Sequence, residues 1–275
     1  MIRFSANLGF LWTELPILER IEAAAKAGFK AVELHYPYAI PPEAVRDLCA
    51  RLGLTLLGVN TDVGSGPTAH SGLGALPGRE RDFQALVDQS IAWQAVAGGK
   101  TIHTMAGIVS PEHHAAAKDT LIRNLREAAP KAADKGLTVL LEPLNQRNMP
   151  GYFYSTVEAV DEVIEAAGAP NLKIMFDVYH VGISEGDIIT RLRKFFPRIG
   201  HVHIAAVPTR AEPDEGEVRY EAIFAELEAL GWPSWIGCEY EPRTTVEAGL
   251  VWLDKLGVSF QSTESASAAS MTPAR

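Results

Sequence analysis

Four side chains that could bind a metal ion or move a proton follow or interrupt short apolar segments. Glu142 ends the segment LTVLLE, Asp177 ends LKIMFD, His203 lies within GHVHIA, and Glu239 ends WIGCE. An unpaired ionised carboxylate in an apolar setting costs several kcal/mol, so a single case could be an accident of sequence. The repetition indicates instead that these segments are strands whose ends share one site.

The chemistry that fits these side chains is metal binding. Three carboxylates in one small site repel one another unless a cation lies between them. The sequence therefore predicts a divalent metal ion held by Glu142, Asp177, His203 and Glu239. Oxygen-rich ligation favours Mg2+ or Mn2+, while the imidazole leaves Co2+ and Zn2+ open. The alternative for each acid taken singly is a helix cap or an ion-pair partner just past its strand.

The elements that would position these residues alternate along the chain. Strands are predicted at residues 2–7, 30–34, 54–60, 101–105, 137–142, 172–177, 199–205 and 235–239. Amphipathic segments such as PILERIEAAAKAGF and TVEAVDEVIEAAG lie between them, with glycine near their ends. Eight alternations predict an α/β fold, a single-domain (β/α)8 TIM barrel over residues 1–258, in which the carboxyl ends of the strands face one mouth. A doubly wound sheet is the alternative, although no G-x-G-x-x-G motif follows the first strand.

Other polar residues end the remaining strands and fall on the same predicted rim. Taken singly, Asn7, Asn60 and His103 are more typical of structural residues than of ligands. Their place on the rim nevertheless makes Asn7 and His103 candidates for substrate binding. Glu33 is a candidate for contact with a substrate hydroxyl or with a neighbouring Lys or Arg.

Two further substrate-binding candidates follow strands six and seven. His180, three residues beyond Asp177, is predicted to hydrogen-bond a substrate oxygen, and a helix cap is the alternative. The loop VPTRAEPDEGEVRY after strand seven is long and charged, which is typical of a lid. Arg210 in this loop could bind a substrate carboxylate through its planar guanidinium group.

Composition restricts the classes of function. The chain has 275 residues, of which 47% are hydrophobic, and a formal net charge of −9 without a basic run, which disfavours nucleic acid as a partner. Cys49 and Cys238 are far apart and are predicted to be buried free thiols of a reducing compartment. With no signal peptide and no apolar stretch of about 18 residues, a cytoplasmic protein without a membrane partner is expected. Residues 259–275, rich in Ser, Ala and Thr, predict a low-complexity tail.

Longer motifs resemble a known family. The segments RFSANLGFLWTELPILERIEAAAKAGFKAVELHYPY, LLEPLNQRNMPGYF, FDVYH, EPDEGEVRY and WIGCEYEPRTTVEAGLVWLD are similar to those of the hydroxypyruvate isomerases. That family belongs to the xylose-isomerase-like barrels, alongside 2-oxo-tetronate isomerases and the more distant ketose 3-epimerases. The resemblance runs from Arg3 to about Leu256. It implies that Glu142 and Glu239 are the acid/base pair and also line the metal site with Asp177 and His203.

The sequence departs from the family pattern at two places. Position 203 is commonly Gln in hydroxypyruvate isomerases, whereas this chain has His203, as ketose 3-epimerases do. Ala69, His70 and Ser71 replace the usual Gly-Glu-Arg. Both departures concern the substrate more than the fold or the type of reaction.

The chemistry expected is proton abstraction next to a carbonyl through an enediolate. Return of the proton to the neighbouring carbon gives isomerisation, and return to the same carbon gives epimerisation. Interconversion of hydroxypyruvate and tartronate semialdehyde is the favoured reaction, with 2-oxo-tetronate isomerisation or ketose 3-epimerisation as alternatives. A metal-dependent endonuclease and a non-catalytic sugar-binding protein are the rival classes, and a homodimer or homotetramer is left open.

Overall fold

A computed structural model of the chain describes residues 2–65 and 71–260. Ala69 and His70 of the departing segment, and all but the first two residues of the predicted tail, lie outside these ranges. The described residues form eight parallel strands in a closed barrel, in which each strand pairs with the next and β8 pairs with β1. The strands are β1 (Arg3–Asn7), β2 (Ala31–Leu34), β3 (Thr55–Asn60), β4 (Thr101–His103), β5 (Thr138–Leu141), β6 (Leu172–Asp177), β7 (Ile199–Ile204) and β8 (Trp235–Cys238). The TIM barrel prediction is confirmed, with each strand within two residues of its predicted bounds, and the doubly wound alternative is wrong.

Helices follow the strands around the outside of the barrel. In the described ranges they are α1 (Ile17–Ala27), α2 (Pro42–Leu52), α3 (Glu80–Ala97), α4 (His114–Ala133), α5 (Val157–Ala167), α6 (Val178–Ser184), α7 (Ile188–Phe195), α8 (Tyr220–Ala229), α9 (Val246–Gly249) and α10 (Trp252–Lys255). Short 3-10 helices occupy Pro111–His113 and Phe196–Arg198. None of the helices in these ranges has the length and apolarity needed to cross a membrane.

Helix α5 shows how the local sequence sets these elements. The Thr156 hydroxyl accepts a hydrogen bond from the Ala159 N–H at 3.2 Å and so satisfies one of the free donors of the first turn. Gly168 ends the helix with a φ of 75°, a left-handed conformation that costs glycine little. Val157, Val160 and Ile164 are buried at helical spacing, so this face packs on the barrel.

The strands are apolar on both faces because helices cover the barrel outside and side chains fill it inside. In β5, Val139, Leu140 and Leu141 are all fully buried. The register then sets which polar residues become neighbours at the mouth: Asp177 is opposite His203, and Asn7 is opposite Glu33.

Barrel packing continues slightly beyond residue 258, where we predict that the tail begins. The ring of Phe260 packs against Phe29 with 4.3 Å between centroids. Phe260 therefore belongs with the barrel rather than with the Ser- and Ala-rich residues that follow it.

Candidate active site

The four predicted metal ligands meet at the mouth of the barrel. Glu142 follows β5, Asp177 ends β6, His203 lies in β7 and Glu239 follows β8. One ligand atom from each lies within 4.8 Å of the others, and all four residues are buried. His203 Nδ1 is 3.6 Å from Glu142 Oε1 and 3.7 Å from Glu239 Oε1. Four consecutive strands thus bring three carboxylates and one imidazole to a common point.

The unpaired atoms of this group fit a cation. Glu142 Oε1, Asp177 Oδ2 and His203 Nδ1 are buried without a hydrogen-bond partner in the described part of the chain. Buried polar atoms rarely stay unpaired, because each costs about 1–3 kcal/mol or more. Three such atoms that face one another are a donor set suited to a divalent metal ion.

The pKa values of Glu142 and Asp177 reflect the repulsion between the buried carboxylates. Burial, together with the nearby charge of Glu239, raises the pKa of Glu142 to about 8. Burial and the Glu239 charge also raise the pKa of Asp177 to about 6. A bound cation would relieve this repulsion and favour the ionised carboxylates.

The two carboxylate oxygens of Asp177 make different contacts. Its Oδ1 accepts a hydrogen bond from the Tyr179 N–H at 2.8 Å and caps α6. Its Oδ2 faces the other ligands and lies 3.5 Å from His180 Nε2. The helix-cap alternative is therefore confirmed for Oδ1, while Oδ2 is free to serve in the predicted metal site, which stays a prediction.

Glu239 is held in place through both carboxylate oxygens. Asn7 Nδ2 donates to Oε1 at 3.0 Å, and Arg210 Nη2 donates to Oε2 at 2.7 Å. His35 Nε2 lies 3.4 Å from Oε1. Burial opposes ionisation, but His203, Arg210 and His35 outweigh it and hold the pKa of Glu239 well below its usual range. The structure thus places Asn7 as a support of Glu239.

Arg210 is fixed between aromatic rings. Its guanidinium carbon lies 4.3 Å from the Phe10 ring centroid and 5.0 Å from that of Tyr179. Its Nε is buried and has no hydrogen-bond partner among the described residues. Arg210 therefore presents a donor in a fixed plane, although in this structure one of its other nitrogens is bound to Glu239.

A cavity of about 150 Å³ opens above these residues. Its walls contain five predicted residues, each at or after the end of a different strand, namely His103, Glu142, His180, Arg210 and Glu239. The cavity therefore suits a small ligand.

His180 and His103, two of the three histidines in the wall, are neutral. Burial lowers the pKa of His180 to about 3, and it lowers the pKa of His103 to about 3. His180 Nδ1 accepts the Asn145 backbone N–H at 3.0 Å, which leaves the ring proton on Nε2. His103 Nδ1 lies 3.8 Å from Glu142 Oε2, and its Nε2 has no partner among the described residues. Each ring can offer a substrate one uncharged hydrogen-bonding nitrogen.

Glu33 lies away from this cavity, below His203. Its Oε2 is 2.7 Å from His203 Nε2 and 3.0 Å from His201 Nε2, and its Oε1 accepts from Ser5 Oγ at 2.5 Å. Burial opposes ionisation, but the two histidines outweigh it and keep the pKa of Glu33 well below its usual range. The expectation that Glu33 pairs with Lys or Arg is wrong, because the pairing groups are imidazoles.

Three acidic residues of the loop after β7 form ion pairs and are not free, as the charges of a lid are expected to be. Arg243 Nε contacts Glu212 at 2.8 Å, and its Nη1 and Nη2 contact Glu215 at 2.6 Å and Asp214 at 2.5 Å. Lys255 also contacts Asp214. These contacts attach the loop to the segment after β8. The packing of the loop therefore does not support the prediction of a mobile lid.

Sequence reasoning did not single out two residues near the site, His35 and His201. His35 is the first residue after β2 and shares the cavity with Tyr36. His201 is two residues before His203 on the same strand, and two successive inward positions of one strand differ by two in number. The period of the strand could have revealed His201, and the rule that residues just past a strand end line the mouth could have revealed His35.

Fold and site together define a barrel with a buried carboxylate–imidazole centre at the carboxyl ends of its strands. The chain belongs to the xylose isomerase-like TIM barrel family, whose model matches residues 21–256. It is 43% identical to a 2-oxo-tetronate isomerase from Cupriavidus necator over 92% of this chain and 98% of that one. It is 36% identical to a hydroxypyruvate isomerase from Escherichia coli, with 92% and 99% covered.

Solved structures agree on the fold. The crystal structure of an AP endonuclease, family 2, from Brucella melitensis has a TM-score of 0.87 at 38% identity and covers 92% of this chain. A D-psicose 3-epimerase from Clostridium cellulolyticum H10 has a TM-score of 0.75 at 20% identity over 93% of this chain. The second likeness shows the fold alone.

Proposed function

We propose that this protein is an isomerase of small hydroxy-oxo acids, and that it interconverts hydroxypyruvate and tartronate semialdehyde. The observation that carries the proposal is the pair Glu142 and Glu239, which face one small cavity together with Arg210. The names of the relatives at 36% and 43% identity support the type of reaction. The net charge of −9 supports a substrate other than nucleic acid.

Two glutamates within 4.8 Å of each other can move a proton between adjacent carbons. One removes a proton from C3 of hydroxypyruvate, and one delivers a proton to C2, while a hydroxyl proton moves between the two oxygens. General acid–base catalysis of this kind contributes about 10²- to 10⁴-fold in rate. Asn7 and Arg210 fix the orientation of Glu239, so its carboxylate needs little rearrangement before reaction.

A divalent ion fits the unpaired atoms of Glu142, Asp177 and His203, with Glu239 as the fourth residue. Mg2+ or Mn2+ is the proposed ion, and Co2+ or Zn2+ would also suit the imidazole. Such an ion supplies Lewis-acid polarisation of a carbonyl and stabilises developing negative charge.

The residues around the centre bind and orient the substrate. Arg210 Nε is the proposed donor to the substrate carboxylate, because its plane is fixed and the atom has no other partner among the described residues. His180 and His103 offer neutral ring nitrogens to substrate oxygens. We place the reaction in the cytoplasm.

A 2-oxo-tetronate isomerase is the second candidate, since the relative at 43% identity has that name. Its substrate has one more carbon and keeps the same oxo acid group. The same two glutamates and Arg210 would serve both substrates.

Incubation in D2O with a panel of substrates, followed by NMR, tests the proposal. Hydroxypyruvate and 2-oxo-tetronate are compared with fructose, tagatose and ribulose. We expect deuterium at the acceptor carbon of an acid, and a loss of about 10²- to 10⁴-fold in Glu142→Gln and Glu239→Gln. Epimerised ketoses with no turnover of either acid would contradict the proposal, as would near wild-type rates in both variants.

A further inference from the structure

Beneath the candidate metal centre lies a second buried polar group, formed by Ser5, Glu33, His201 and His203. A single carboxylate oxygen, Glu33 Oε2, lies 2.7 Å from His203 Nε2 and 3.0 Å from His201 Nε2. The other oxygen accepts from Ser5. All four side chains are buried, so these contacts do not compete with bulk water.

We propose that Glu33 is a positioning residue that fixes the orientation and tautomer of His203. A neutral imidazole carries one ring proton, and a carboxylate oxygen can only accept. Because a carboxylate oxygen only accepts, His203 Nε2 at 2.7 Å from Glu33 is the donor, and the neutral form of the ring then has its lone pair on Nδ1. Nδ1 is the unpartnered atom that faces Glu142 and Glu239.

This inference rests on the metal centre of the proposed function and adds the residue that prepares one of its ligands. Histidines that bind metals usually donate their second ring N–H to a carboxylate or carbonyl, and loss of that partner typically costs about 10- to 100-fold in affinity. Ser5 keeps the carboxylate of Glu33 from rotating, and His201 approaches the same oxygen as His203. The group therefore holds the His203 ring at a fixed depth in the barrel.

The distances argue against a second metal ion between Glu33, His201 and His203. Ligands about 2.0–2.1 Å from one tetrahedral ion lie roughly 3.3 Å apart. The 2.7 Å between His203 Nε2 and Glu33 is a hydrogen bond. The 3.0 Å contact of His201 Nε2 is also shorter than the spacing of two ligands, although this nitrogen has no hydrogen-bond partner among the described residues.

The neighbouring strand also holds the pair in place. A Cβ at Gly237 would lie 2.4 Å from His203 Cδ2 and 2.5 Å from Glu33 Oε1. The bare backbone of β8 therefore packs against both side chains, and neither can move away from the other on that side.

The test measures binding of Mn2+ alone, by titration of the metal-free protein, in wild type, Glu33→Met and Glu33→Gln. Methionine has a similar length and removes the acceptor, whereas the glutamine amide oxygen can still accept from His203 Nε2. We expect Glu33→Met to weaken Kd about 10- to 100-fold and Glu33→Gln to stay within about tenfold of wild type. Asp177→Ala is the reference for loss of a ligand, and Glu19→Met, exposed on α1, is the control.

A second measurement does not depend on any variant. In 15N-histidine-labelled wild type loaded with Zn2+, NMR should show the His203 ring proton on Nε2. A ring proton on Nδ1 would overturn the inference, as would equal Mn2+ affinity in wild type and Glu33→Met or equal losses in Glu33→Met and Glu33→Gln. Two Mn2+ ions per wild-type chain that fall to one in Glu33→Met would mean that Glu33 is itself a ligand. If the wild-type protein bound no Mn2+, this would contradict the proposed metal centre, and the inference about Glu33 with it.

Discussion

At the scale of single residues, Arg210 combines two contacts that usually occur separately. Its guanidinium lies over the rings of Phe10 and Tyr179 and also binds Glu239, so in the proposed function one side chain would both bind the substrate and orient a catalytic carboxylate. Lysine cannot reproduce this arrangement, because an ammonium group neither stacks as a plane nor offers two parallel donors.

Arg210→Met should therefore lower kcat/KM for hydroxypyruvate by about 10- to 100-fold, since a hydrogen bond to a charged group contributes about 1.5–3 kcal/mol. Arg210→Lys should recover only part of this loss. Steady-state kinetics measure both effects, with Arg51→Met on the distant surface of α2 as the control. Equal kcat/KM in Arg210→Met and wild type would show that Arg210 does not bind the substrate.

Cys49 allows a prediction about pH. It is 4% exposed, and burial raises the pKa of its thiol to about 11 from an ordinary value of 9.0. Because the thiolate is the reactive form, a rise of two pKa units lowers the reactive fraction at pH 8 about a hundredfold. Alkylation by iodoacetamide should be at least this much slower in the native protein than in urea, and should rise about tenfold per pH unit. Equal native and unfolded rates at pH 8 would contradict the burial of this thiol.

At the scale of elements, the loop after β7 positions Arg210 through charges buried behind it. Glu212 is fully buried and meets Arg243, and the Glu241 N–H donates to the Arg210 carbonyl at 2.8 Å. The loop is thus joined to the segment after β8 by both side chains and backbone. Glu212, Asp214 and Glu215 are among the charges that suggested a lid in the sequence, and in the structure they attach the loop to Arg243.

Arg243→Met should weaken the fold and the site together. It leaves Glu212 and Asp214 without their main partner, and we expect a loss of less than about 3 kcal/mol, because Arg243 itself is partly exposed. The melting temperature should fall by several degrees, and kcat/KM should fall as Arg210 loses its support. Lys255→Met, which removes a more exposed contact to the same Asp214, is the matched control and should have the smaller effect. Unchanged kcat/KM in Arg243→Met would separate the loop from catalysis.

At the scale of the whole molecule, the barrel could be predicted because the strands are short and apolar and alternate with amphipathic helices, of which α1, α2, α3 and α5 end at glycine. The convergence of Glu142, Asp177, His203 and Glu239 could be predicted for the same reason, since parallel strands in a barrel bring their last residues to one mouth. The position of the Glu33 side chain could not be predicted from the sequence. It ends a strand in the sequence as Glu142 does, but its depth depends on the register of β2 against β1, and register depends on long-range packing.

The ion-pair partners of Arg243 could not be predicted from the sequence for a related reason. They lie about 30 residues away in the chain, and the charge pattern of an exposed loop is the same as that of a loop paired with a distant arginine. The sequence supports both interpretations until the strands that carry the two loops are known to be neighbours, as β7 and β8 are.

The end of the barrel gives a prediction for the whole fold. Removal of residues 261–275 should change the melting temperature by less than about 1 °C, because their composition supports little apolar burial. Removal from Ser259 onward also deletes the Phe260–Phe29 contact, and should cost about 1 kcal/mol, or roughly 2–4 °C. Differential scanning calorimetry compares the two truncations directly. Equal melting temperatures would show that the Phe260 contact does not stabilise the barrel.

The attachment of the loop after β7 has a consequence for how ligands enter and leave. Arg210 is held in place on that side, whereas Tyr36, which lines the same cavity, is 41% exposed. Its hydroxyl lies 3.3 Å from the Met105 sulfur, and a thioether is a weak acceptor. We therefore expect ligand exchange to use the exposed side of the cavity near Tyr36 rather than movement of the loop after β7.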